Sequence, residues 1–237
     1  SLPWSSSITG IIACITAWNS PVAILCNTLP AALAAGNCVI IKPSEHAAVT
    51  TLEIARLCDK AGFPAGVVQV VTGAGATGAA LTASPLIDKI SFTGSPGVGR
   101  AIAQSAAAQL KPVALELGGK SPNIVFDDAD FDRALVGALA GIFGATGQTC
   151  IAGSRLLVQR GVYDRMVEGL AARAAQIRMG DPRLPETEMG TAANEPQFNK
   201  ILSFIEAAKG DGARLVAGGG RADGPGLEKG FFVQPTI

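Results

Sequence analysis

Two short segments of the chain contain residue types that together support covalent catalysis. Glu116 closes an apolar run and is followed by paired glycines at positions 118 and 119. Cys150 follows Gly147, Gln148 and Thr149 in a small, polar segment without helical periodicity. A cysteine thiolate is a good nucleophile toward carbonyl carbon, and a carboxylate serves as a general base. The pair therefore predicts acyl chemistry that proceeds through a covalent intermediate.

Cys150 differs from the other four cysteines in its surroundings. Cys14 and Cys38 lie in strand-like apolar runs, and Cys26 and Cys58 lie in helix-like segments, so we expect these four to be buried small hydrophobic residues. A turn before Cys150 would expose its sulfur among backbone N–H groups, which favour the thiolate. From the residues alone, both a reactive and an inert Cys150 stay open.

Glu116 and Asn19 each have a chemical and a structural interpretation. Glu116 is either a general base or a structural carboxylate paired with Lys111 or Lys120. Asn19 either directs a side-chain N–H toward a developing oxyanion or caps the helix that begins near Pro21. Local sequence does not choose between these interpretations.

The segment Lys-Pro-Ser-Glu at 42–45 closes a second predicted strand. In a doubly wound sheet the adenine-side ribose of a dinucleotide lies at such a position, where Lys42 and Glu45 can bond its hydroxyls. The structural alternative is a helix start, with Ser44 as the N-cap and Glu45 in the first turn.

Two glycine-rich loops join strands to helices. The segment 73–78 matches Gly-x-Gly-x-x-Gly. A dinucleotide fingerprint also requires an acidic residue at the end of a strand about 20 residues later, and this chain has none there. The segment is either that fingerprint or a turn that needs positive φ. In the loop at 93–99, Ser95 either helps to bind a phosphate at the positive helix end or simply caps the helix.

Apolar strand-like runs alternate with alanine-rich helical segments in the first half of the chain. Near-continuous apolar strands separated by helices are typical of a parallel sheet covered on both faces. The sequence therefore predicts an α/β fold with a doubly wound, Rossmann-like sheet. The predicted strands cover residues 8–17, 38–42, 67–71, 89–93 and 112–117, and the helices lie near 21–35, 47–60, 77–83 and 98–109.

A second α/β series follows, and we place a domain boundary near Gly118 and Gly119. The polar, proline-containing stretch at 181–188 is predicted to be an exposed excursion. The predicted strands of this part cover residues 123–126, 155–159 and 214–217, and its helices lie near 131–143, 162–178 and 195–209.

Composition excludes several classes of protein. Nineteen basic residues balance nineteen acidic ones without a basic run, which argues against a nucleic-acid partner. The apolar stretches are broken before the ~18 residues of a membrane span. Five cysteines without a Cys-x-x-Cys pair and one histidine argue against a disulfide framework and a metal site. We therefore expect a cytoplasmic protein that binds neither metal, membrane nor nucleic acid.

Six segments, taken together, resemble the NAD(P)-dependent aldehyde dehydrogenase superfamily. They occur in the order of that family, and the resemblance extends over essentially the whole chain. The segments are Thr-Ala-Trp-Asn at 16–19, Pro-Ala-Ala-Leu-Ala-Ala-Gly-Asn at 30–37, Lys-Pro-Ser-Glu at 42–45, Phe-Thr-Gly-Ser at 92–95, Leu-Glu-Leu-Gly-Gly-Lys-Ser-Pro at 115–122 and Gly-Gln-Thr-Cys at 147–150.

The resemblance implies an oxidoreductase that converts an aldehyde to a carboxylic acid with NAD(P)+. It implies that Cys150 is the nucleophile, which forms a thiohemiacetal and then a thioester. Asn19 and the Cys150 backbone N–H would hold the oxyanion, and Glu116 would activate the hydrolytic water. Residues 1–118 would be part of a dinucleotide-binding domain and residues 119–237 part of a catalytic domain.

The resemblance also implies a set of cofactor contacts. Because Glu45 near a ribose 2′-hydroxyl would repel a 2′-phosphate, NAD is expected rather than NADP, which remains the alternative. Pyrophosphate binding in this family uses the Ser95 loop, so the 73–78 segment becomes a turn. The implied contacts are Trp18, Lys42, Glu45, Gly94, Ser95 and Leu117.

The chain departs from the family pattern in two respects. Thr28 stands where family members often have a lysine, which puts a lysine-dependent proton relay in doubt. The chain also resembles only the central portion of a family member, without the later Glu-x-Phe-Gly-Pro segment. We expect the whole protein to be a homo-oligomer, a dimer or tetramer, acting on a small aldehyde. The alternatives are a catalytically inactive nucleotide-binding fragment or scaffold, and a cysteine hydrolase without cofactor.

Overall fold

The computed structural model describes residues 10–237. By its internal contacts the chain divides between Gly118 and Gly119 into two compact units. Each unit has its own sheet and its own apolar cores.

The first unit is built on a five-stranded parallel sheet. The strands are β1 (Ile11–Ile15), β2 (Cys38–Lys42), β3 (Val68–Val70), β4 (Lys89–Gly94) and β5 (Val113–Leu117). Their order in the sheet is β3-β2-β1-β4-β5, and every adjacent pair is parallel. The predicted α/β, Rossmann-like sheet is confirmed. Residues 8–9 of the first predicted strand lie outside the described residues.

Four helices connect these strands: α1 (Pro21–Ala34), α2 (Val49–Lys60), α3 (Gly75–Ala83) and α4 (Pro96–Ala107). Alternate residues of β1 point to opposite faces of the sheet, so the strand must be apolar throughout to meet a core on each face. One core contains Ile12, Cys14, Leu25, Leu29, Ala32, Val39 and Ile41, and the other contains Ala13, Ile15, Ile87, Ile90, Phe92, Ile102 and Ala106.

The second unit contains a parallel pair of strands and three α-helices. The strands are β6 (Pro122–Val125) and β7 (Arg155–Val158), and the helices are α5 (Phe131–Phe143), α6 (Tyr163–Ala174) and α7 (Glu195–Gly210). Asp130 caps α5 by accepting from the Arg133 N–H at 3.2 Å. Along residues 10–237, no helix has both the length and the apolar character needed to cross a membrane.

The predicted strand at 214–217 was wrong. The N–H groups of Val216 and Ala217 both donate to the carbonyl of Ile237, at 2.8 and 3.2 Å. A strand in a sheet forms hydrogen bonds with successive residues of its neighbour, whereas here a single carbonyl accepts both bonds. Gly218 and Gly219 then turn the chain with φ values of +70° and +105°, which end any extended run.

Candidate functional site

The carboxyl ends of β1, β2, β4 and β5 lie along one edge of the first sheet. Ile15 is the register partner of both Lys42 and Phe92, and Gly94 is the partner of Leu117. From β1 the chain first adds β2 and β3 on one side of the sheet and then β4 and β5 on the other side. Open α/β sheets bind ligands at the carboxyl ends of the strands where the order reverses in this way, here between β1 and β4, and we call this position the crevice. The structure thus gathers at this edge the predicted residues Trp18, Asn19, Lys42, Glu45, Gly94, Ser95, Glu116 and Leu117.

The segment after β1 leads into α1 through Asn19 and Ser20. Helix α1 begins at Pro21, and its N-cap is Ser20, whose carbonyl accepts from the Ile24 N–H at 2.9 Å. The interpretation of Asn19 as the helix cap was therefore wrong, because Asn19 lies one residue too early. Trp18 and Asn19 are half-buried and occupy the β1 side of the crevice.

Lys42 and Glu45 form an ion pair at the end of β2. The Lys42 Nζ atom lies 3.9 Å from Glu45 Oε2, and the two side chains are 6% and 49% exposed. A nearly buried ammonium group beside an exposed carboxylate offers a donor and an acceptor from one short segment. The pair fits a vicinal diol better than it fits an anion, because the carboxylate would repel an anion.

Ser44 does not start the second helix. Its Oγ accepts from the His46 N–H at 3.3 Å, and the Ser44 carbonyl accepts from Ala47 N–H at 3.1 Å. These bonds close a local turn, and α2 begins only at Val49. The predicted helix start, with Ser44 as N-cap and Glu45 in the first turn, was therefore wrong.

Ser95 caps α4 at the opposite side of the crevice. Its Oγ accepts from the Val98 N–H at 3.3 Å, and Pro96 occupies the first helical turn. Ser95 and Gly97 are exposed, and no atom lies within 4 Å of a Cβ built on Gly97. The positive end of α4 is therefore open to an anionic ligand.

The two glycine loops differ in what their glycines do. In the 73–78 loop only Gly73 is required: its φ is +148°, and an added Cβ would lie 2.0 Å from Thr77 Oγ1. In the 93–99 loop, a Cβ on Gly99 would lie 2.6 Å from Leu117 Cδ2, so α4 packs against β5 without space for a side chain. The second loop shows the close helix–strand packing that dinucleotide sites use.

Glu116 is exposed, whereas Leu115 and Leu117 on the same strand pack against the second core of the sheet. The alternative pairing of Glu116 with lysine was wrong. Lys111 Nζ donates to the carbonyls of Thr82 and Ser84. Lys120 Nζ donates to its neighbour Gly119, at 2.9 Å.

Cys150 belongs to the second unit, in the loop that joins α5 to β7. It is an exposed free thiol. Four and five residues before it, the chain passes through a left-handed turn: Ala145 has φ +50° and Thr146 has φ +57°. Each non-glycine residue in this conformation costs roughly 1–2 kcal/mol. Since Glu116 lies in the first unit, its cooperation with Cys150 stays a prediction.

The remaining cysteines do not all match the prediction. Cys14 is buried, and burial raises the pKa of its thiol to about 12, against a smaller opposing effect of its hydrogen bond with Thr28. Cys38 and Cys58 are partly buried. Cys26 is exposed, which corrects the expectation that it is a buried hydrophobic residue, because it lies on the side of α1 that faces away from the core residues Leu25 and Leu29.

Sequence reasoning missed two side-chain networks. The hydroxyl of Thr28 bonds that of Ser91 at 3.2 Å. The side chain of Gln148 bonds backbone groups of Ala145, Thr191 and Ala193. The glycines at 144 and 147 were the only local signal of an unusual turn near Gln148.

Comparison with known proteins agrees with this arrangement. The family model described as "Aldehyde dehydrogenase family" matches residues 6–237. The chain is 46% identical over 228 residues to a betaine aldehyde dehydrogenase of Vibrio vulnificus, covering 96% of this chain and 47% of that protein. It is 46% identical over 230 residues to aldehyde dehydrogenase 1A1 of Oryctolagus cuniculus, covering 96% and 46%.

Solved structures show the same likeness. A betaine aldehyde dehydrogenase from Staphylococcus aureus, in complex with NAD+, superposes with a TM-score of 0.94 at 39% identity, over 96% of this chain and 45% of that one. PnpE in complex with nicotinamide adenine dinucleotide gives a TM-score of 0.94 at 44% identity, over 97% and 47%. The chain spans about half the length of the relatives it matches. It belongs to the aldehyde dehydrogenase family.

Proposed function

We propose that the protein oxidises a small aldehyde to the carboxylic acid with NAD+ as oxidant. The observation that carries this proposal is the gathering of eight predicted residues at one edge of the parallel sheet, in a chain of the aldehyde dehydrogenase family. Relatives solved with NAD+ bound support the choice of cofactor. The exposed Cys150 supports its role as nucleophile.

The residues of the crevice fit a dinucleotide. The Lys42–Glu45 pair offers a donor and an acceptor to the adenosine ribose. The open N-terminus of α4 at Ser95 suits a pyrophosphate. Trp18, Gly94 and Leu117 would line the space between these two positions. We propose NAD rather than NADP because the Glu45 carboxylate would repel a 2′-phosphate.

The chemistry assigned to the side chains is as follows. The Cys150 thiolate adds to the aldehyde carbon, and the carbonyl π electrons become the oxyanion of a thiohemiacetal. The Asn19 side-chain N–H and the Cys150 backbone N–H stabilise that oxyanion. As the oxyanion collapses to the thioester carbonyl, the same carbon releases a hydride, for which NAD+ would supply the acceptor when bound. Glu116 then takes a proton from water, whose oxygen attacks the thioester and expels the thiolate.

The surface and the cysteines bear on the assembly and setting of the whole protein. Several large apolar side chains are exposed, including Val49, Leu110 and Ile151 at 79%, 93% and 80%. Exposed apolar surface is typical of an oligomer, and we propose a homo-oligomer, dimer or tetramer. All five cysteines lie within the described part and are free thiols, which suits a reducing, cytoplasmic setting.

A single-turnover experiment tests the proposed function. Intact protein is mixed with excess NAD+ and acetaldehyde, and NADH is followed by its absorbance. We expect one NADH per active site, no burst from Cys150→Ala, and NAD+ binding by that variant within about twofold of wild type, because the thiol is not a ribose or phosphate contact. Binding of NAD+ without any burst in wild type would favour the alternative of an inactive nucleotide-binding protein or scaffold.

A further inference from the structure

A strained turn lies three to five residues before Cys150. Ala145 and Thr146 both adopt left-handed helical angles, with φ/ψ of 50°/33° and 57°/33°, and Gly147 continues the turn at φ +68°. Consecutive non-glycine residues rarely adopt this conformation, least of all a β-branched threonine. Such a turn persists only where surrounding contacts hold it.

The backbone N–H of Gln148 donates to the Ala145 carbonyl at 3.1 Å, and its side chain makes the further contacts. Its Oε1 accepts from the Ala193 N–H at 2.9 Å. Its Nε2 donates to the carbonyls of Ala145 and Thr191, each at a longer 3.5 Å. One side chain therefore connects the strained turn to a segment 45 residues further along the chain.

The segment that receives Gln148 is firmly placed in the second unit. Ala192 is 1% exposed, and its N–H donates to the Phe231 carbonyl at 2.9 Å. Asn194, one residue beyond Ala193, caps α7 by accepting from the Gln197 N–H at 2.9 Å. Gln148 thus bonds the two residues on either side of buried Ala192, in a segment that leads into the cap of α7 and is held by other contacts.

The far side of the Cys150 loop is held separately. The Ala152 N–H donates to the Thr149 carbonyl at 3.2 Å, and the Gly153 N–H donates to Gly141 in α5 at 3.0 Å. These bonds fix the chain after Cys150. Only the Gln148 side chain ties the leading half of the loop to the 191–193 segment among the described hydrogen bonds.

We propose that Gln148 is a positioning residue for Cys150. Its amide holds residues 145–147 in the left-handed turn, and the turn sets the direction in which the Cys150 sulfur points. This inference rests on the proposed function to the extent that Cys150 is the nucleophile. Gln148 would control the reactivity of the Cys150 thiol, and that reactivity can be measured without substrate.

The test measures alkylation of Cys150 by iodoacetamide in the intact protein, followed by peptide mass mapping across a range of pH. We expect Gln148→Ala to slow the Cys150 reaction about tenfold at every pH, because the sulfur is less often held in its exposed position. Cys26, exposed on α1 in the other unit, is the internal reference and should react at the wild-type rate.

Gln159→Ala provides the matched control. Gln159 makes a comparable bond within the same unit, accepting from the Asp127 N–H at 3.0 Å, but it lies beyond β7. We expect its loss to leave the Cys150 reaction unchanged. Equal slowing in the two glutamine variants would overturn the inference, since it would reflect general loosening of the unit.

A second variant tests the cause. Glycine adopts positive φ freely, so Thr146→Gly should keep the left-handed turn without the help of Gln148. We expect the double variant Thr146→Gly/Gln148→Ala to recover most of the lost alkylation rate. An unchanged or faster Cys150 reaction in Gln148→Ala, or no recovery in the double variant, would overturn the proposal.

Failure of this inference is distinguishable from failure of the proposed function. Alkylation requires neither NAD+ nor aldehyde. If Cys150 reactivity depends on Gln148 but wild-type protein gives no NADH burst, the positioning role stands and the proposed oxidation is wrong. If the burst is normal and Gln148→Ala alkylates like wild type, the oxidation stands and the positioning role is wrong.

Discussion

The Thr28 Oγ1 atom lies 3.2 Å from the Ser91 Oγ atom, which joins helix α1 to strand β4. Ser91 is the register partner of Cys14 in β1, and Cys14 also hydrogen-bonds Thr28. One side chain on α1 is therefore bonded to two adjacent strands. Thr28 therefore helps to hold the middle of α1 against β1 and β4, the two strands that flank the crevice. Thr28, at the position where the family resemblance led us to expect lysine, thus has a structural role.

We predict that Thr28→Val lowers the free energy of unfolding by about 1 kcal/mol, because it leaves the half-buried Ser91 hydroxyl without this partner. Urea denaturation of the two proteins measures the difference. Thr50→Val, at an exposed position of α2, is the control and should be near neutral. Equal stabilities for the two valine variants would contradict the importance of the Thr28–Ser91 bond.

The Cys14 thiol should make stability depend on pH in alkaline solution. Its pKa is about 12 in the folded protein, raised by burial from an ordinary 9.0. A raised pKa means that the folded state holds the proton more tightly, so the stabilising contribution is complete below pH 9 and is lost as the pH rises toward 12. We therefore expect wild type to lose stability through this window.

Urea unfolding of wild type and Cys14→Ser, at two pH values, measures this effect. Serine does not titrate in the window and can keep the hydrogen bond with Thr28. Between pH 8 and 10.5, wild type should lose roughly 2 kcal/mol more than the variant. Parallel pH profiles for the two proteins would show that the thiol does not contribute.

Glu116→Gln should separate the two halves of the proposed reaction. The amide cannot take a proton from water, so thioester hydrolysis should slow by about 10²-fold or more, while hydride transfer is spared. A normal NADH burst followed by a much slower steady state is the expected trace. Glu168→Gln, at an exposed position of α6, is the control. An unchanged steady-state rate in Glu116→Gln would remove Glu116 from the mechanism.

Glu45→Gln should weaken the preference for NAD over NADP. Removing the carboxylate relieves its repulsion of a 2′-phosphate, and we expect the ratio of kcat/KM values for the two cofactors to shift about tenfold toward NADP. Glu53→Gln is a suitable control, since Glu53 lies on α2 and is paired with Arg56. A ratio that shifts equally in both variants would argue against a specific contact with Glu45.

Several elements followed directly from local sequence. The predicted strand at 38–42 and the helix at 131–143 have the predicted bounds in the structure. Their apolar runs and capping residues lie within the elements themselves, so local pattern was sufficient. The predicted helix start at Ser44 was wrong because a serine before a helical pattern can also close a local turn. Only the backbone geometry distinguishes these two cases.

Some features of the candidate site could likewise be predicted from local sequence, and others could not. The residue types at 42–45, 92–95, 115–122 and 147–150 were sufficient to predict the family, which the comparisons confirm. The exposure of Cys26 was not predicted, because an apolar context does not say which side of a helix faces the core.

The sequence by itself determined most of the strands and helices and the chemical character of the segments between them, because apolar periodicity and capping act over a few residues. Only the tertiary structure decided that β1 lies between β2 and β4, so that residues from 18 to 117 meet at one edge of a sheet. It also decided that Gln148 bonds Ala193. Contacts between residues far apart in the chain depend on how whole elements pack, and no local pattern encodes them.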